Sequence, residues 1–224
     1  MRFLPVGDAP PFRRDIRDGI AYELEPPDGS IPPRQIGLGI SDSGESIAPL
    51  SLGRISKPLK VANGAGPLIL RDLTKTEDSE SWLSVNRPES GDFLVMLWRG
   101  NPKSSWKTPK ALVVPDSIQV APAGAMRVIN LSPVAIGVSF GDKNVKLETG
   151  KIYRCEVPLK QEMGIELSAV DRSGKLKRFH TGAVFQNPNE RTLVVIYRAD
   201  GVSPRRPLKA IIHREPVTKP KKDS

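Results

Sequence analysis

The chain has 224 residues, a formal net charge of +9, one cysteine and two histidines. A single cysteine excludes an intramolecular disulfide and a cysteine-cluster metal site, and no apolar run of about 18 residues is present to span a bilayer as a helix. The charge is uneven: residues 151–224 hold 16 Lys/Arg against 8 Asp/Glu, a net of +8, leaving +1 on residues 1–150. A basic final third attracts polyanions through long-range attraction and counterion release. The competing reading is a solubilising charged face.

Residues 1–33 read as a proline-rich arm. Pro10-Pro11, Pro26-Pro27 and Pro32-Pro33 fix φ and remove backbone donors, so no helix is expected. Ile20-Ala21-Tyr22-Glu23-Leu24 is the one short strand expected there. Met1-Arg2-Phe3-Leu4-Pro5-Val6 lacks the apolar stretch of a signal peptide. The expectation is a mature exported chain, periplasmic or extracellular, with a cytoplasmic protein as the alternative.

From residue 34 onward, period-two alternation dominates. It runs through Arg34-Gln35-Ile36-Gly37-Leu38-Gly39-Ile40 and through residues 55–62, 68–71, 126–131, 135–140 and 145–147. Residues 92–98 and 192–197 are nearly continuous apolar runs and read as central strands. Turn signals recur at Ser43-Gly44, Asn63-Gly64, Gly141-Asp142, Ser173-Gly174 and Asp200-Gly201. The best helical stretch, 158–164, is too short. Many short strands between frequent turns predict an all-β sandwich or barrel. Residues 217–224, ending Lys-Pro-Lys-Lys-Asp-Ser, read as a disordered basic tail.

An internal repeat refines this. Leu94-Val95-Met96-Leu97-Trp98-Arg99 matches Leu193-Val194-Val195-Ile196-Tyr197-Arg198, and Lys110-Ala111-Leu112-Val113 matches Lys209-Ala210-Ile211-Ile212, both at an offset of 99. Arg34-Gln35-Ile36-Gly37-Leu38 is set against Arg127-Val128-Ile129-Asn130-Leu131 as the opening strand of each unit. Two related immunoglobulin-like sandwich units are therefore expected, at 34–117 and 123–216.

No constellation for bond-making emerges, so no enzyme is expected. His180 and His213 lie 33 apart with no companion ligand at metal-site spacing, so no metal and no cofactor are expected. Ser41-Asp42-Ser43 is not a nucleophile elbow, and Cys155 reads as a small strand side chain. Asn130-Leu131-Ser132 fits a glycosylation sequon, which the following Pro133 and its place in a strand discount. Trp98 and Tyr197 occupy equivalent positions in apolar strands and read as core. Trp106 differs, lying in a loop between Lys103 and Lys107. With Arg205 and Arg206 of the matching loop, these residues form the expected contact surface, aromatic for stacking and basic for anions.

Met126-Arg127-Val128-Ile129-Asn130-Leu131-Ser132-Pro133, followed by Gly141-Asp142-Lys143 and then Leu147-Glu148-Thr149-Gly150-Lys151-Ile152-Tyr153, resembles a class of bacterial extracytoplasmic Ig-like β-sandwich domains of uncharacterised function. Those domains open with an R-V-x-N-L-S strand and continue through a hairpin to an x-x-G-x-x-Y strand. The resemblance implies an exported, non-enzymatic structural or adhesive module, binding an envelope protein or an anionic polymer. The alternatives are an accessory protein of a pilus or secretion assembly, or a carbohydrate-binding module using Trp106. Nucleic acid is expected as a partner only non-specifically, and no small-molecule substrate is expected.

Overall fold

The computed structural model describes all residues except 42, 43, 63, 65, 75–80, 101–104, 172, 203 and 218–224, and gives no side-chain placement for 39–41, 44 and 45. The described residues form seventeen strands and no helix, an all-β sandwich-type fold. None of them belongs to a helix long and apolar enough to cross a membrane. The chain divides into two compact units. One is Met1–Asp116 with Ala199–Arg205; the other is Ser117–Arg198 with Arg206–Ser224.

In the first unit, β1 (Arg2–Val6), β8 (Phe93–Trp98) and β9 (Lys110–Pro115) form one sheet in the order β1-β8-β9. A second sheet has the order β5-β4-β6-β7, from β4 (Gln35–Ser41), β5 (Gly44–Pro49), β6 (Pro67–Asp72) and β7 (Ser81–Asn86). Between these sheets Phe3, Val95 and Leu97 meet Ile36, Leu38, Ala48, Leu70 and Val85 in one buried cluster. The alternation read in residues 34–40 is the physical cause: side chains two apart share a face, so one face fills the core. A separate hairpin, β2 (Arg14–Arg17) and β3 (Ile20–Glu23), pairs only with itself among the described residues.

The second unit pairs β10 (Ala125–Asn130), β13 (Ile152–Glu156), β16 (Glu190–Arg198) and β17 (Leu208–Pro216) in the order β13-β10-β16-β17. Its other sheet is β12-β11-β14-β15, from β11 (Ile136–Phe140), β12 (Lys143–Leu147), β14 (Glu162–Val170) and β15 (Leu176–Phe185). Met126, Val128, Val194 and Ile196 close over Ile136, Val138, Ile165 and Leu167.

Several registers coincide between the two units. Trp98 faces Lys110 in β8–β9, and Tyr197 faces Lys209 in β16–β17. The opening strand runs parallel to the penultimate one in each unit, with Phe3 opposite Val95 and Val128 opposite Val194. Ladder irregularities recur after Leu70 and after Leu167, so Trp82 and Phe179 each fall inside a local bulge.

Three expectations are corrected. Residues 1–33 are not merely an arm, since residues 2–6 form an edge strand of a three-stranded sheet, with Phe3, Leu4 and Val6 fully buried. Pro5 is tolerated there because its fixed φ suits an extended chain. The strand at residues 35–41 therefore does not take the place of β10; it takes the place of β11, with Ile36-Gly37 in the register held by Ile136-Gly137. Residues 55–62 form no strand. Gly53, Ser56 and Leu59 donate to the carbonyls of Pro5, Phe3 and Met1, each at 2.8 Å, with three residues between donors rather than two. That spacing, and Pro58 with no N–H to give, breaks the ladder.

Candidate anion-binding face

The contact surface expected around Trp106 does not form as read. Trp106 is 1% exposed and belongs to the core of the first unit. Its amide donates to the Gly29 carbonyl at 2.8 Å, its carbonyl accepts from Trp82 Nε1 at 2.7 Å, and its ring lies 3.4 Å from where a Cβ at Gly7 would stand. The loop residue is buried because its indole packs into the first unit's core cluster while its backbone bonds to Gly29 and Trp82. That burial removes Trp106 as a stacking platform for sugars. Lys103 lies outside the described residues. Lys107 is exposed and pairs with Asp28 at 2.5 Å. Arg205 and Arg206 are both exposed, Arg205 in the segment that joins the first unit and Arg206 in the second unit.

Within the first unit, Asp200 is the hub of a dense network. Arg99 donates to its carboxylate at 2.6 Å and to its carbonyl at 2.5 Å, and the Asp8 amide donates to the other carboxylate oxygen at 2.6 Å. Gly201 N–H returns to the Asp8 carboxylate at 3.0 Å. Every strong group here has a partner, which marks a structural joint rather than a reactive centre.

The cationic side chains that reach solvent together lie on the second unit. The β14–β15 turn is built on Asp171, whose Oδ1 accepts from Ser173 N at 2.8 Å, Ser173 Oγ at 2.6 Å and Lys175 N at 3.0 Å. These bonds hold the Asp171 carboxyl far below the usual carboxylate range. Gly174 completes the turn at φ 80°. The turn presents Lys175, Lys177 and Arg178, all exposed. Lys177 reaches Asp171 at 3.2 Å and Arg178 reaches Glu166 at 2.6 Å, pairs screened by water.

Two further arginines lie against β15, Arg206 in the bend before β17 and Arg214 in β17 itself. Arg206 donates to the Phe179 carbonyl at 3.2 Å and Arg214 to the Phe185 carbonyl at 3.4 Å, occupying acceptors on edge strand β15. Half-buried His180 lies near Arg206; burial, then the Arg206 charge, pushes its pKa down, and its Nε2 has no hydrogen-bond partner among the described residues. Exposed guanidinium and ammonium groups thus lie along the β14–β15 hairpin and beside strand β15, groups whose chemistry suits oxyanions.

The remaining candidate groups have structural roles. Burial pushes the Cys155 thiol up, away from the thiolate that redox chemistry requires. Asn130 is fully buried, and its amide donates to the Val134 and Leu147 carbonyls at 2.8 and 2.9 Å while its oxygen accepts from Ser132 N and Oγ. It is not presented as a glycan acceptor. Among the described residues, no three His, Cys, Asp or Glu side chains gather as a metal site.

No protein-family model matches the chain, and a search of curated proteins finds no significant match.

Proposed function

We propose that this chain is a non-enzymatic binding module of the bacterial envelope, built of two related immunoglobulin-like sandwich units, whose basic C-terminal face holds an anionic polymer. The observation that supports it is the set of exposed cations on one unit: Lys175, Lys177 and Arg178 on the β14–β15 hairpin, Arg206 in the bend before β17 and Arg214 in β17, of which Lys177 pairs with Asp171 and Arg178 with Glu166. The surplus of basic residues beyond residue 150 supplies the long-range attraction. The envelope location rests on the resemblance carried by residues 126–153.

The test is retention of the full chain on an immobilised sulfated polysaccharide, with elution by salt. The expected result is tight retention at low salt that falls steeply as ionic strength rises. The variant K175E/R206E elutes earlier, with a salt slope shallower by about two released counterions. Retention that ignores salt, or that is unchanged in the variant, overturns the reading.

A further inference from the structure

The β2–β3 hairpin leaves large apolar side chains in solvent: Ile16 is 62% exposed, Ile20 57% and Tyr22 49%, with Phe12, just before β2, at 70%. A two-stranded hairpin is marginal alone in water, and an open edge invites another strand. Its turn is Asp18-Gly19, with φ of 52° and 77°, the mirror-image type I′ connection that matches strand twist. Such a turn makes Arg17 and Ile20 a hydrogen-bonded pair, so Asp15–Tyr22 and Arg13–Leu24 follow as bonded pairs. Leu24 N–H indeed donates to the Arg13 carbonyl at 2.9 Å. The backbone groups of Arg14 and Ile16 therefore point outward, and β2 has no second strand neighbour among the described residues.

The outward strand reads Arg14-Asp15-Ile16-Arg17-Asp18, and its charges invert about Ile16. Turned antiparallel upon itself, it sets Ile16 against Ile16, Asp15 against Arg17 and Arg14 against Asp18. The same register joins the outward groups of Ile16 to those of its twin as a bonded pair. We propose that a second copy of this chain docks on β2, forming a two-fold symmetric four-stranded sheet centred on Ile16. In that sheet the two Ile16 side chains meet on one face, beside Ala21 of each hairpin, and the Asp15–Arg17 pair that each chain makes internally at 2.8 Å becomes a ring of four charges on the other. The short edge, closed by Pro11 before it and the turn after it, buries less area than a standard interface, so the association is of the weak, reversible class.

The test is sedimentation equilibrium of the full chain across a concentration series, with circular dichroism as a control for folding. The wild type is expected to show a monomer–dimer equilibrium that weakens with salt. D15R and R17D each place like charges opposite one another twice, and each weakens the dimer by about tenfold. D15R/R17D exchanges the charges and restores wild-type affinity within about threefold. Ile16→Pro removes the N–H at the two-fold axis and abolishes the dimer. A strictly monomeric wild type overturns the proposal. A dimer indifferent to either single reversal, or not recovered in the double variant, also overturns it.

Discussion

Replacing Trp106 by alanine decides between its two possible roles. The side chain is 1% exposed and packs in the cluster that holds Phe3, Ile36, Leu70 and Leu97. Truncating a buried tryptophan removes its transfer energy and leaves a cavity, together about 3–5 kcal/mol. A domain of this size has total stability of about 5–15 kcal/mol, so the first unit loses a large share of what it has. The indole Nε1 is buried without an acceptor among the described residues, which offsets part of the loss once it is gone. Trp106→Phe keeps most of the volume and discards that donor, so it costs much less than the alanine variant. Calorimetry on the full chain reads both. In Trp106→Ala the transition of the first unit falls by on the order of 10–20 °C, while that of the second stays in place. An unchanged melting profile would refute the reasoning, since a residue that merely touches a ligand in a surface loop stabilises nothing when removed.

Asn130→Ala removes the donors to the buried carbonyls of Val134 and Leu147 and leaves the Ser132 N–H without its acceptor, while Ser132 Oγ keeps its bond to the Val134 carbonyl, and urea unfolding should show a loss of about 1–3 kcal/mol in the second unit. Asp200→Ala leaves the largely buried Arg99 guanidinium without its carboxylate, and the same measurement should show a loss of about 3 kcal/mol in the first unit. His180 titrates lower in the folded protein than its ordinary 6.5, so the unfolded chain binds the proton first. Its contribution to stability is complete above that ordinary value and is lost as pH falls toward the folded pKa. His180→Gln should flatten this part of the pH–stability curve. A sulfated polysaccharide bound to the basic face raises the His180 pKa by linkage, seen as a shifted imidazole titration in NMR.

The all-β class was legible in the sequence because alternation is a local signal. Side chains two apart share a face of a strand whatever its neighbours, so Ile36, Leu38, Ile136 and Val138 announce a core face on their own. The offset of 99 between residues 94–98 and 193–197 likewise survives as register, since both hairpins keep the same number of residues between facing strands. What tertiary structure alone decided is which strand meets which. Met1-Arg2-Phe3 matches Met126-Arg127-Val128 in two letters of three and in its place beside the penultimate strand, yet the prolines that follow read locally as an arm. Asp18-Gly19 carried the strongest hairpin signal in that region, and Pro10-Pro11 beside it masked the pairing. The basic face was visible as a surplus of charge, but not as a place, because Arg206 and Arg214 reach β15 only after two sheets have closed on each other. Trp106 marks the same boundary: whether a loop side chain meets water or the interior depends on contacts with residues far away in the chain, and those exist only once the sandwich is assembled.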